Sequence, residues 1–408
     1  MNRPRTLAAL ACAAFLLVTS AGTAAADASV VESNATTRSE GISSLLLVAP
    51  ATTHLPPGLH AFTSIQAAVN AIQPATHRHT TIIVEPGTYV GQVYIPADKP
   101  DVTIIGATGK AADVTIEDNL AHGTYAPNGN LYGTDCSATL TVAGSGFQAY
   151  NVTVANTFDR TTDPADAARG PQAVAVKAVA DKVIFAHDVF TAVQDTVFAS
   201  SYADNFQPQE CFTEDGVAQP PASSPPATAP PPPARQYFVD DTISGSIDFI
   251  CGSATAVFDH DDIDILGGHS GGSVTAPDTP TAFTYGYLII NSRIDNADGT
   301  LAAGADYLSR PWRHTGTTNP VAQMTIRETY LGTAVSSAHY ENWSSPFFKW
   351  TDARYSEYQN TGPAAVDVAP DVPQLTDTQA ASYTILTYFA DWHPFSPLGF
   401  GLAKPFTP

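Results

Sequence analysis

The sequence predicts an all-β chain wound as a parallel solenoid, and two observations carry that prediction. Beyond residue 80 the chain breaks into short runs rich in Val, Ile and Thr, punctuated by Gly, Pro and Asn: "TTIIVEPGTYVGQVYI", "DVTIIGA", "DVTIED", "ATLTVAG" and "YNVTVANT". The second observation is recurrence. "HDVFTAVQD" (187–195) and "DDTISGSID" (240–248) each carry an Asp before a strand pattern, Asp188 and Asp241, and close on another Asp seven residues later. Gln172 precedes Asp195 by 23 residues and Asp195 precedes Asp248 by 53; removing an inserted segment of 31 residues (204–234) leaves 22. Several short strands per period of about 22 residues mark a β-solenoid. A β-sandwich is the alternative, but hairpin turn signals are scarce.

The elements follow in order. Residues 1–26 have the order of a secretory signal peptide: Arg3 and Arg5, an apolar run from Leu7 to Val18, then small residues with cleavage expected after Ala25 or Ala26. Cys12 belongs to that run. Residues 27–58 form a polar lead-in, apart from "SLLLVAP". "FTSIQAAVNAI" (62–72) has apolar residues at helical spacing, with Thr63 or Ser64 as cap, and predicts a short helix. One β domain, 59–408, follows. Its Pro-rich insertion at about 204–234 contains "QPPASSPPATAPPPPA", which cannot form a ladder and is expected to be extended and solvated, with long loops around a cleft. Cys136 precedes the pattern "ATLTV" and Cys211 lies in the insertion. A Cys136–Cys211 disulfide pinning the base of the insertion is expected, with Cys251 a buried thiol.

The formal net charge of −21 disfavours nucleic acid and anionic membrane surfaces as partners, and disfavours strongly polyanionic substrates. No run after the leader is long and apolar enough to span a bilayer. A secreted monomer is expected, extracellular or, in a Gram-negative host, periplasmic.

Asp195 in "QDTVFA" (194–199) and Asp248 in "SIDFICG" (246–252) are carboxylates inside otherwise apolar strand patterns, where a charge needs a partner or a function. Equivalent positions of successive coils stack about 4.8 Å apart, which would place Gln172, Asp195 and Asp248 on consecutive rungs of one sheet. Two carboxylates at about 5 Å cannot both ionise easily, so one becomes an acid while the other stays a base or nucleophile. Such a pair serves a retaining glycosidase or an esterase with an aspartate nucleophile. Gln172 and Gln194 offer neutral N–H donors for an oxyanion. In "LSRPW" (308–312), Arg310 offers a cation for a carboxylate and Trp312 a flat face for a sugar.

In this order, "QAVAV" (172–176), "QDTVF" (194–198), "DFICG" (248–252) and "SRPW" (309–312) resemble the motif set of the pectin methylesterases. The likeness extends to "GTYVGQV" (87–93), "GFQAYNVTVANT" (146–157) and "ARYSEYQNTGPAA" (353–365), and covers the chain from about residue 60 to "DWHP" (391–394). The resemblance implies a right-handed parallel β-helix that hydrolyses the methyl esters of homogalacturonan, giving de-esterified pectin and methanol, without metal or organic cofactor. It implies Asp248 as nucleophile, Asp195 as acid and then base, and Gln172 and Gln194 as oxyanion donors. It further implies Arg310 as the partner of Asp248 and Trp312 as a wall of the sugar cleft. An esterase or thioesterase of the same fold acting on another ester, or a polysaccharide-binding β-helix without activity, is the alternative.

Three positions depart from the family pattern: Gly91 replaces the usual Glu, Ser309 the usual Gly, and Cys251 the usual aromatic. Many relatives also carry a bonded cysteine pair seven residues before and thirteen after the nucleophile. Those positions are Asp241 and Asp261 here, two carboxylates expected to face each other and repel; a bridging cation is the competing account. "GHSGG" (268–272) matches a serine-hydrolase elbow but lacks the following helix. "DHDDID" (259–264) lacks the Gly and distal Glu of a calcium loop, so a solvated acidic turn is expected.

Overall fold

The computed structural model describes residues 44–74, 78–201, 211–213, 216–219, 234–268, 271–313, 321–343 and 348–394. The predicted leader (1–26), most of the lead-in and the proline run of the insertion lie outside them. Among the described residues, the short Val/Ile/Thr runs form three parallel sheets of ten, eight and seven strands. From Thr80 to Leu331 the chain visits the sheets in strict rotation. Thr80–Val84 joins the ten-stranded sheet, Gly87–Val90 the eight-stranded, Val93–Ile95 the seven-stranded, and Val102–Gly106 returns to the first. Each circuit is one coil of a parallel β-helix, as the repeat predicts. No helix among the described residues is long and apolar enough to cross a membrane.

Inward side chains of the three sheets meet on the axis and form the core. Phe185, Phe238 and Phe258 occupy one register position of three successive coils, and their rings stack at centroid distances of 5.0 and 4.7 Å. Such stacking adds to the burial of large aromatic surfaces. The N-terminal end is closed by the helix Ile65–Ala71, which buries Ile65, Ala68 and Val69 and is capped by Ser64 Oγ accepting from Ala67 N. The strand Ser44–Val48 adds a further rung beside Thr80–Val84. Two short C-terminal helices, Asp377–Ala380 and Ile385–Phe389, lie on the outer face of the ten-stranded sheet, where Tyr388 and Phe389 join Tyr237, Val257 and Leu288 in a second apolar cluster.

Cys136 and Cys211 form a disulfide, and Cys251 is a buried thiol. The bond seats the described part of the insertion on the N-terminal coils. Phe212 stacks on Tyr94 at 4.8 Å, within a cluster that includes Tyr132, Val179 and both bonded cysteines. Cys211, Phe212 and Gly216 are buried in this stretch, while Val217 and Gln219 are exposed.

The turn from the ten- to the eight-stranded sheet repeats one device on successive coils. Asn151, His187, Asp240, His260, Asn291, Glu328 and Gln359 all have φ between 50° and 60°. The next residue's N–H then points along the axis, away from the sheet ladders, and needs its own acceptor. The following coil supplies one. Val152 N donates to Asp188 Oδ1 (2.9 Å), Asp188 N to Asp241 Oδ1 (2.8 Å), and Asp241 N to Asp261 Oδ1 (2.9 Å). Asp261 N donates to Ser292 Oγ (3.0 Å), Ser292 N to Thr329 Oγ1 (3.3 Å), and Thr329 N to Asn360 Oδ1 (3.1 Å). Asp241 and Asp261 thus face each other on adjacent coils, with Asp188 as a third member.

This ladder corrects the reading of "DHDDID" as a solvated turn in part: His260 and Asp262 are exposed, but two of its acids are not. Asp259 and Asp261 are buried; Asp259 accepts from Tyr237 Oη and Asn291 Nδ2, and Asp261 is a rung. The parallel register sets both against neighbouring coils, Asp259 beside Tyr237 on the outer face and Asp261 in the turn, which local composition could not reveal.

Asp188, Asp241 and Asp261 each keep one oxygen, Oδ2, buried without a hydrogen-bond partner. Burial drives all three carboxyls well above the usual range, and at Asp241 the charges of Asp261 and Asp188 push further the same way. A carboxyl with a raised folded-state pKa binds its proton more tightly when folded. Its contribution to stability is best at low pH and is lost as pH rises from the unfolded value through the folded one. Asn in place of Asp241 keeps the acceptor for Asp188 N and sets an amide donor beside orphaned oxygens. Asp241→Asn is therefore expected to raise Tm at pH 7, by about 2–4 °C for each ~1 kcal/mol relieved, and by less at about pH 4. Thermal unfolding at the two pH values decides it; an unchanged or lower Tm at pH 7 removes the repulsion argument.

Candidate active site

The outer face of the seven-stranded sheet carries the site. Along each of its strands, inward residues such as Val176, Val197 and Ile250 enter the axial core. The alternating neighbours form an outward row: Thr141, Lys177, Phe198, Cys251 and Ala276 hold one register position on successive coils. Trp312 packs over this row with Val174, Phe198, Cys251 and Ala276; its ring lies 6.1 Å from that of Phe198.

Asp195 and Asp248 precede their strands, in the bend that leads from the eight-stranded sheet. Both have left-handed backbones, with φ of 62° and 50°. Asp tolerates this conformation where β-branched residues do not, and the bend breaks the inward–outward alternation. That is how a carboxylate escapes an otherwise apolar run. Gln194 bridges Ile247, and Val197 pairs with Ile250, so Asp195 stands directly opposite Asp248 on the adjacent coil. Asp195 N donates to Ile247 O (3.3 Å) and Asp248 N to Ser273 O (2.7 Å), fixing both bends along the axis.

Gln172 lies on the coil before Asp195, but one residue short of the register position of the two aspartates. Ala173 N donates to Gln194 O (3.1 Å) as Asp195 N does to Ile247 O, which sets Ala173 opposite Asp195 and Gln172 opposite Gln194. Ala175 N and Val176 N then share Thr196 O, so an extra residue shifts the register before Val176 pairs with Val197. Gln172 is half-buried, its carbonyl accepts from His122 N (2.7 Å), and its side-chain Oε1 is buried without a partner. Gln194 is half-buried beside Asp195.

Arg310 follows the strand Tyr307–Ser309. Its Nε donates to Asp248 Oδ1 (2.7 Å) and its Nη2 to Asp248 Oδ2 (2.6 Å), a bidentate pair. Its Nη1 donates to Glu341 Oε1 (3.3 Å), and its guanidinium lies 4.6 Å from the ring centre of Trp343. The ring of Trp312 lies 6.3 Å from that of Trp343. Glu341 and Trp343, in "ENW", were not singled out from sequence. They lie about 30 residues from Arg310, and only the arrival of that segment over the sheet reveals them.

The electrostatics separate the two aspartates. Burial raises the proton affinity of Asp248 and the charge of Glu341 adds to it, while the hydrogen bonds and charge of Arg310 pull against both and leave it only somewhat above the usual carboxylate value. Asp195 is driven well above the usual carboxylate range, first by its surroundings and next by the charge of Asp248, with Arg310 opposing only through space. Asp135 contributes too; it forms a buried ion pair with Lys177, whose ammonium lies 4.4 Å from the centre of the Phe198 ring. At one pH the pair therefore offers an ionised carboxylate beside a protonated one.

Departures from the motif pattern are absorbed locally. Ser309 is buried and accepts from Thr275 Oγ1 (2.8 Å), and Cys251 sits under Trp312 as a small apolar residue. Gly91 has φ 115°, which a Glu would adopt only with strain. Ser270 of "GHSGG" lies outside the described residues, but the strand Ser273–Pro277 follows rather than a helix. No group of three His, Cys, Asp or Glu among the described residues is placed to hold a metal ion.

The family model for Pectinesterase matches residues 55–214 and 232–390. The pectinesterase of Aspergillus aculeatus is 27% identical over 330 residues, covering 80% of this chain and 85% of that one. The pectin methylesterase PemA from Erwinia chrysanthemi superposes with a TM-score of 0.69 at 26% identity, covering 86% of this chain and 98% of its own. A pectin methylesterase in complex with a hexasaccharide matches with the same TM-score, identity and coverage. The coil is that of these enzymes, a right-handed parallel β-helix. With the matched segments spanning most of its length, the chain belongs to the pectinesterase family, and it is a carboxylic ester hydrolase.

Proposed function

We propose that the protein is an exported pectin methylesterase in which Asp248 is the nucleophile and Asp195 the acid and then the base. The observation that carries the assignment is the unequal treatment of two stacked carboxylates. Asp248 receives both arms of Arg310, while Asp195, one coil away, feels Arg310 only through space, against a desolvating environment and its neighbour's negative charge.

In this reading a methyl-esterified galacturonate lies against Trp312 with its ester carbonyl over Asp248. An Asp248 oxygen forms a bond to the carbonyl carbon, and the carbonyl electrons move to its oxygen, where the Gln172 and Gln194 amides donate to the developing oxyanion. Collapse breaks the bond to methoxide, and Asp195 gives up its proton as methanol departs. Asp195 is then a carboxylate beside the acyl-enzyme. It takes a proton from an entering water, whose oxygen attacks the same carbon, and Asp248 leaves as free carboxylate. Arg310 holds Asp248 ionised and aimed without entering the bond changes. The hexasaccharide bound by a neighbour of the same fold supports a polysaccharide in the cleft. Export rests on the leader-like residues 1–26.

Methanol release from highly esterified pectin tests the reading. Release of acetate, thioester cleavage, or loss of viscosity on de-esterified polygalacturonate in its place would overturn it. Asp195→Asn is expected to lower turnover by about 10²–10⁴, the usual contribution of an acid–base group. Asp248→Asn should be the more complete lesion, and near-normal methanol release from it would end the nucleophile assignment.

The pH profile gives an independent check. Turnover requires Asp248 ionised and Asp195 protonated, so the acid limb of kcat/KM reports the first and the basic limb the second. Arg310→Lys replaces two parallel hydrogen bonds by a point charge. Its acid limb should move to higher pH, with the basic limb less affected. An acid limb that stays in place would show that Arg310 does not hold Asp248 ionised.

A further inference from the structure

Arg310 presents a problem that its pairing with Asp248 does not solve. A guanidinium in a cleft that binds polygalacturonate should grip any free carboxylate. De-esterified units, the product of the proposed reaction, would then compete with esterified ones.

The structure shows Arg310 enclosed. Nε and Nη2 are committed to Asp248, Nη1 faces Glu341 Oε1 at 3.3 Å, and Trp343 covers a face at 4.6 Å. Arg310 and Glu341 are both partly open to solvent, so the carboxylate stands where a ligand could otherwise approach. Glu341 is itself fixed. Its Oε1 accepts from Ser273 Oγ (3.0 Å) and its N–H donates to Ser309 O (3.1 Å), the residue beside Arg310.

The segment behind it is anchored more firmly still. His339 is fully buried, with Nδ1 2.6 Å from Glu357 Oε1 and Nε2 3.1 Å from Ala364 O. Both ring nitrogens meet acceptors, the geometry of an imidazolium. Tyr340 Oη donates to the same Glu357 oxygen (2.8 Å). A surface ion pair is worth little. One whose carboxylate rides on a buried, ionic anchor is held in place at small further entropic cost.

We propose that Glu341 is a specificity-determining residue that withholds Arg310 from free galacturonate carboxylates, so that the site favours esterified units and releases de-esterified chains. The proposal rests on the assignment of pectin as substrate. It accounts for a negative charge kept beside the nucleophile although that charge raises the proton affinity of Asp248. The same charge repels an incoming carboxylate, a repulsive element of the kind that discrimination often requires.

Calorimetric binding of a fully de-esterified oligogalacturonate provides the test, with no turnover needed. Glu341→Ala, which frees Nη1 and removes the charge, is expected to bind the oligomer at least tenfold more tightly than the unaltered protein. Salt should weaken that binding more steeply. Glu341→Gln, which removes the charge but keeps an acceptor, should fall between, and Glu341→Asp should stay near the unaltered protein. In Glu341→Gln the acid limb of methanol release should also move to lower pH, because Asp248 loses a repelling neighbour. Equal or weaker binding by both Ala and Gln variants would overturn the proposal and leave Glu341 as a brace for Arg310. Absence of methanol release by the unaltered protein would count against the functional reading, while the binding series would still decide whether Glu341 excludes carboxylates.

Discussion

Backbone hydrogen bonds in this molecule run along one axis, from each coil to the next, and they hold successive coils about 4.8 Å apart. Whatever a position carries, its equivalents in the coils above and below must accommodate it. Identical rings gain from this arrangement, as Phe185, Phe238 and Phe258 do. Identical charges suffer. The same register that builds an aromatic column in the core builds two columns of carboxylates, one in the turn beside the ten-stranded sheet and one at the head of the seven-stranded sheet.

The two columns resolve their repulsion differently. In the turn, Asp188, Asp241 and Asp261 each satisfy a backbone N–H with one oxygen, and the other is left buried and unpaired. Protons are the available remedy, and the cost appears in stability as pH rises. At the cleft Asp248 is equally buried and Asp195 only partly exposed, but Arg310 reaches across from two coils further on and takes one of them. The symmetry of the stack is broken by a cation that the stack does not contain. An acid–base pair requires that inequality, and the structural column lacks it.

Glu341 belongs to the same balance. A guanidinium strong enough to hold Asp248 ionised would also attract the charged product, and a second carboxylate on its remaining edge offsets that attraction. The acidic character of the whole chain works in the same direction at longer range.

Much of the coil is legible in the sequence. Period-two runs with β-branched residues define strands locally, and the recurrence of Asp-strand-Asp located the rungs that bear Asp195 and Asp248. Pairing by motif also placed Arg310 and Trp312 near them. Gln172 falls one residue short of the position that counting gives it, because an extra residue in its coil shifts the hydrogen-bond register just before the strand. Within "DHDDID" the burial of Asp259 and Asp261 depends on what the neighbouring coils present. Glu341 and Trp343 carry no local signal; their meaning comes from lying over Arg310. The sequence by itself determined which residues form strands, how often the chain turns and which chemistry it carries. Only the tertiary structure decided which side chains share a rung and which carboxylate meets the cation, because these depend on contacts between coils tens of residues apart.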